Sequence, residues 1–209
     1  MRYAAGVALV FALAGCGGGG EHGSAVLWVT RDRGATVVFT GAVPAGLTAM
    51  QALDRVQKIT TRYGGRYVQS IGGVSGSLTN QKDWFYFVNG VEEGVGATEV
   101  RLHPGDVEWW DYRSWAHGQM SVPVVVGAWP KPVFGNVTVS GAQPAARELG
   151  RALHADGGPN HVIVTPSPVV FRGASTGGHY TFWISARDAE RLAKNPKLAR
   201  FHYEGLGGG

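Results

Sequence analysis

Residues 84–90 read WFYFVNG, and few conformations suit such a run. Five aromatic and β-branched residues in a row favour a strand, and Asn-Gly is the strongest short signal for a two-residue hairpin turn. In an extended strand Trp84, Tyr86 and Val88 point to one face and Phe85, Phe87 and Asn89 to the other. Both faces are apolar, so a central strand covered on both sides is expected. The chain must therefore build a sheet with layers around it. The 33 glycines of the 209 residues are scattered among short apolar alternations, which fits many tight turns between short strands.

The neighbouring stretches extend this pattern. AVLWVT and ATVVFTG read as two strands joined at Arg31-Asp32-Arg33-Gly34. PAGLTAMQALDRVQKI follows, with Thr48 as N-cap and Met50, Leu53 and Val56 on one face of a helix of about three turns. Gly64-Gly65 ends that segment. Tyr67 to Ile71 is a further strand, Gly72 to Asp83 a polar loop, and GDVEWWDYRSW the last strand, entered through Pro104-Gly105. The expected order is β-β-α-β-β-β, a helix laid across a mixed sheet. Within the last strand Glu108, Trp110 and Tyr112 share a face, and Val107, Trp109, Asp111 and Arg113 share the other. If one face packs on the helix, the second either presents Trp110 and Tyr112 beside Glu108 as an open aromatic platform or is covered by the C-terminal half. Trp84, Tyr86, Glu108, Trp110 and Tyr112 are the candidate ligand-binding residues, because such rings can stack on a flat ligand or a sugar.

From Leu47 to Trp115 the sequence resembles the transcobalamin-like C-terminal domain family, much of it catalogued as a domain of unknown function. The resemblance rests on LTAMQALDRV, then YVQSIGGVSG, then WFYFVNGVEEGVGATEVRLHPGDVEWWDY. It implies a β-grasp-like fold carried by bacterial surface or secreted proteins. In the family's cobalamin carriers this domain closes over a corrin ligand, so a corrinoid-like molecule is the ligand it implies. The all-helical domain that supplies the other side of the site in those carriers has no recognisable pattern in this sequence.

From about Ser121 a second small α/β unit is expected, with residues 24–118 as the first unit and 119–205 as the second. VPVVVG, VFGNVTVS, HVIVT, PVVFRG and YTFWI are strand-like, and a short FHY strand closes the sheet. AQPAARELGRALHADGG reads as a helix burying Ala145, Leu149, Ala152 and Leu153. Ser185 and Asp188 resemble a capping box before ARDAERLAKN. The α+β class follows. The tail, residues 206–209, is expected to be disordered.

The opening residues carry a different message. Arg2, the apolar run AAGVALVFALAG and then Leu13-Ala14-Gly15-Cys16 resemble a bacterial lipoprotein signal, residues 1–15, ending at a lipobox. Cys16, the single cysteine, would carry a diacylglyceryl group, and residues 16–23 would be the flexible tether. Two acyl chains hold a protein at a membrane where one binds marginally. The expected location is extracytoplasmic and membrane-anchored, at the cell surface or in the periplasm.

Other function classes find less support. The charge of +4 is modest, with nine Lys and Arg against ten Asp and Glu in residues 21–120 and nine against five in 121–209; no dense basic stripe suggests nucleic acid. No His pair has metal-binding helical spacing, and no Walker or G-x-S-x-G pattern occurs. Ser175, Thr176 and His179 in RGASTGGHYTF read as a strand-connecting turn. Glu92 and Glu93 read as a solvated hairpin tip, and Asp106 as the residue that fixes its turn. The expectation is a non-catalytic module without cofactor or metal. Its partner would be a small molecule or, alternatively, another envelope protein.

Overall fold

The computed structural model describes residues 22–116 and 120–207. The expected signal, Cys16 and most of the tether lie outside the described residues. The chain has an α+β fold. Strands β1 (Ser24–Arg31) and β2 (Thr36–Pro44) form the first hairpin, and α1 (Ala49–Val56) follows. The helix spans just over two turns rather than three. Its start is fixed chemically: Gln51 N–H donates to Thr48 Oγ1 at 3.2 Å, and Thr48 N–H donates to Gln51 Oε1 at 2.9 Å, a complete capping box.

Three short strands come next, β3 (Ile59–Arg62), β4 (Tyr67–Ile71) and β5 (Val74–Ser75), and they form a small antiparallel sheet of their own. Then β6 (Lys82–Val88) turns through Asn89-Gly90 into β7 (Val91–Glu92), and β8 (Val107–Ser114) completes the first half. Both turn residues have positive φ, 55° and 83°, as a type I′ turn demands and as Asn-Gly tolerates. The main sheet has the order β2-β1-β8-β6-β7, with β1 and β8 parallel at its middle. This pairing, with the hairpin before it and α1 across it, matches the β-grasp-like expectation. The central strand is thus β8. β6 lies beside a two-residue neighbour that pairs only with Phe87 and Val88.

The two faces of this sheet are buried differently. Ala25, Leu27, Val29, Val88 and Trp110 pack beneath Met50 and Leu53 of α1. Trp28, Phe87 and Trp109 pack against Val125 and Tyr203 from the C-terminal half. Asp111 ties this seam together. Its buried carboxylate accepts from Thr30 Oγ1 (2.6 Å), the Arg33 and Gly34 N–H groups (3.0 and 3.1 Å) and Tyr203 Oη (2.9 Å). A carboxyl buried in a sheet is costly unless such donors satisfy its oxygens.

The second half contains β9 (Val137–Gly141), α2 (Ala145–Ala152), β10 (Asn160–Thr165), β11 (Arg172–Thr176), β12 (His179–Ser185) and α3 (Ala186–Lys194). The sheet order is β11-β12-β10-β9. Val162, Val164, Phe182 and Ile184 turn inward with Leu149 and Leu192 of the helices. Ser185 caps α3 by accepting the Asp188 N–H at 3.1 Å, while its hydroxyl donates to the Asp188 carboxylate. The opposite sheet face leaves Ile163 and Trp183 half-buried and His161 exposed.

Several expected details differ. VPVVVG makes one isolated bridge, Val91 with Val124, because its side chains are spent filling both cores. FHY is a turn: Phe201 has φ 65°, and Tyr203 plugs the seam instead of extending a sheet. On α2 the buried residues are Ala145, Ala146 and Leu149, with Leu153 just beyond, while Ala152 is exposed. The tail is held at least to Gly207, whose N–H bonds the Leu198 carbonyl at 2.6 Å.

Candidate functional site

The described surface has one region where exposed apolar side chains gather around concavities. Tyr63, Leu78, Val95 and Met120 are all at least half exposed, and Tyr67 is 37% exposed. Contiguous exposed apolar residues on a globular protein often mark a binding surface. These five ring three adjoining hollows that share Tyr67. The largest apolar one, about 450 Å³, runs along β6 with Trp84, Phe85 and Tyr86 in its wall and Leu78, Trp115 and Met120 at its rim. A second, about 290 Å³, lies between Met50, Trp84, Tyr86 and Trp110. The third, about 500 Å³, opens between Tyr63, Arg62 and Gln69 of the small sheet.

The folding of the small sheet explains why a cleft exists. β4 and β5 pack beside β6 without joining it, and the aromatic tips fasten the two. Trp84 Nε1 donates to the Val74 carbonyl at 2.8 Å and Tyr112 Oη to the Ser75 carbonyl at 3.1 Å. Tyr86 Oη donates to the Val95 carbonyl at 2.6 Å, and Tyr67 Oη donates to the Asp83 carboxylate. Each ring is thereby held in place with its polar end satisfied. Tyr86 also stacks on Trp110 at 4.8 Å and 17°, and Trp84 leans on Tyr112 at 5.2 Å. A rigid wall of this kind loses little entropy when a ligand meets it. Burial, then the neighbouring carboxylates Glu93, Glu108 and Glu99, push the Tyr86 hydroxyl up in pKa, so it remains a neutral donor.

The five candidate residues do come together, but not as an open platform. Glu108 is 0% and Trp110 3% exposed; Tyr86 and Tyr112 are half-buried. Their face is the one beneath α1 and the small sheet, and the C-terminal half covers the Trp109 face instead. Glu108 sits in apolar surroundings, paired across the strands with Leu27 and Val88. Its Oε1 accepts from Trp110 Nε1 at 2.5 Å, and Oε2 has no partner among the described residues. Burial pushes this carboxyl up to about 8, against a smaller opposing pull from the Trp110 bond. It is a support of the Tyr86–Trp110 stack rather than a surface contact.

The Glu92-Glu93 tip is also not simply solvated. Glu92 bonds buried Arg113 at 3.1 Å, Ser121 Oγ at 2.7 Å and Val122 N–H at 2.8 Å, because the C-terminal half closes over the hairpin. Burial and then Asp106 raise the Glu93 carboxyl above its ordinary range. Asp106 fixes its turn as expected, accepting from His103 N–H at 2.7 Å and Asn89 Nδ2 at 2.8 Å. Ser175, Thr176 and His179 flank the Gly177-Gly178 turn of the β11–β12 hairpin. Among the described residues no three His, Cys, Asp or Glu side chains gather to hold a metal ion. Tyr67, Asp83, Val95 and the small sheet were not among the sequence candidates.

Most of the cleft, all but Trp115 and Met120 at its rim, lies within the part of the chain that comparison with known families picks out. Residues 46–114 match a family model described as a domain of unknown function, DUF4430. That span takes in all but the last residue of the stretch from Leu47 to Trp115 on which the resemblance rests. Two solved structures are similar at low identity. A proposed metal-binding protein from Ruminococcus gnavus ATCC 29149 gives a TM-score of 0.37 at 9% identity, covering 44% of this chain and 98% of that one. Haptocorrin in complex with Cbi gives 0.37 at 14% identity, covering 44% of this chain and 25% of haptocorrin. At these scores neither likeness bears on the ligand. Among curated proteins no relative matches.

Proposed function

We propose that this chain is a non-catalytic binding module whose aromatic cleft along β6 takes the flat or ring-bearing apolar part of a ligand. The observation that carries the reading is the convergence of exposed Tyr67, Leu78, Val95 and Met120 on hollows walled by Trp84 and Tyr86. The larger hollow falls within the usual size of small-ligand pockets, roughly 300–1,000 Å³. Lipid on Cys16 would hold the module outside the cytoplasmic membrane, with the glycines after it as tether. A corrinoid is one form of such a ligand and a glycan fragment another.

The test is titration calorimetry with cyanocobalamin and with chitin oligosaccharides, using the wild type and Leu78→Asp. Leu78 is 84% exposed, so the substitution places a charge at the apolar rim without touching the core. Saturable binding weakened at least about tenfold by Leu78→Asp supports the reading. Binding that ignores Leu78→Asp and Tyr67→Ala alike rejects it.

A further inference from the structure

The outer edge of β6 has a gap in it. Odd-numbered residues of the strand turn their backbone groups toward β8, as the flanking bonds Asn89 N–H to Val107 O (2.8 Å) and Trp115 N–H to Gln81 O (2.9 Å) show. Even-numbered residues therefore turn theirs outward. At one end Lys82 exchanges both bonds with Ser77, at 2.8 and 3.1 Å. At the other Val88 pairs with Val91, and the Tyr86 carbonyl accepts the Glu93 N–H at 3.3 Å. Between them the Trp84 N–H is taken by Asp83 Oδ1 at 2.8 Å. The Trp84 carbonyl and the Tyr86 N–H are left without a partner among the described residues. Only Phe85 lies between them in sequence, they point the same way, and both residues border the 450 Å³ hollow.

An acceptor and a donor in this relation match the N–H and C=O of a single residue in an added strand. The charges of the hollow narrow the guest further. Its lining contains Asp83, Glu92 and Glu93 and no Lys or Arg. Arg113 neutralises Glu92, which leaves as the acidic groups of the lining Glu93 and the Asp83 carboxylate, whose oxygens already accept from Tyr67 Oη and the Trp84 N–H. Resting on the binding reading above, we propose that the ligand is an extended peptide segment. One of its residues pairs with the Trp84 carbonyl and the Tyr86 N–H, an apolar side chain enters the aromatic cleft, and a basic side chain meets Asp83 and Glu93.

The experiment uses amide NMR of the wild-type protein with three probes. These are an acetylated Lys-Val-Phe-Val-Lys amide, the same peptide with its three central nitrogens methylated, and the aromatic dye anilinonaphthalene sulfonate. Expected is a saturable shift of the Tyr86 amide with slowed hydrogen exchange. N-methylation is expected to weaken binding by about tenfold or more, since it removes the donor that an added strand needs. Replacing both Lys by Glu is expected to weaken it as well. Equal binding of the methylated peptide overturns the strand-pairing proposal. Dye shifts at Trp84 and Tyr86 with no peptide binding also overturn it while leaving the cleft reading intact. If neither dye nor peptide shifts these residues, both fall together.

Discussion

Glu108 gives the sharpest energetic prediction. Its carboxyl is fully buried, has one bond to an indole N–H, and titrates near 8 instead of 4.5. An acid whose pKa is raised by folding binds more protons in the native state than in the unfolded one. Its favourable contribution is complete below about pH 4.5 and is lost as pH rises through about 8. The shift corresponds to about 5 kcal/mol at about 1.4 kcal/mol per pH unit, a large part of the ~5–15 kcal/mol that holds a domain together. In urea, with a slope of ~2 kcal/mol/M, the midpoint would fall by roughly 2.5 M across this window. Glu108→Gln keeps the acceptor for Trp110 and cannot ionise. Urea melts of both proteins at half-unit steps from pH 5 to 9 isolate the contribution of this carboxyl, because other titrating groups cancel in the difference. The stability difference should tilt toward the variant as pH rises, by several kcal/mol over the range. Parallel curves for the two proteins would refute the idea that a neutral carboxyl is held in this core.

Other substitutions probe the seam, the cap and the anchor. Asp111→Ala strands four donors and should cost about 3–5 kcal/mol by chemical denaturation, with Tyr203→Phe costing about 1–2 kcal/mol because it removes one bond to a charged group. Gly127→Ala should cost about 1–3 kcal/mol in the same assay, since a Cβ there would lie 2.5 Å from the Trp109 ring and 2.9 Å from the His202 carbonyl. Ser185→Ala should lower stability by about 1 kcal/mol through loss of the α3 cap. Cys16→Ser should move the protein from the membrane to the soluble fraction, and mass spectrometry of the membrane-bound product should find two or more acyl chains at residue 16.

The elements that could be read in the sequence are those whose signals are local. The Asn89-Gly90 turn, the Thr48 cap and the alternation of β8 each depend on residues within one short window, and each has the expected geometry. β3 was invisible because Ile-Thr-Thr-Arg has one half-buried apolar residue and no alternation to detect. The covering of each sheet face was not legible either. It depends on contacts such as Tyr203 to Asp111, 92 residues apart in the chain. The sequence does hold one signal for it: Asp111 and Arg113 share an inward face with Trp109, and buried polar groups in a strand require partners from elsewhere. The cleft was half legible. Trp84 and Tyr86 stood out by type, but Tyr67, Asp83 and Val95 become site residues only because the small sheet docks beside β6 without pairing to it.

Fragment screening by two-dimensional amide and indole NMR on the purified protein tests the cleft most directly. Shifts induced by ring-bearing fragments are predicted to concentrate at Tyr67, the Trp84 indole, Tyr86 and Val95. Shifts concentrated instead on the open face of the second sheet, around Ile163 and Trp183, would contradict the assignment of the site.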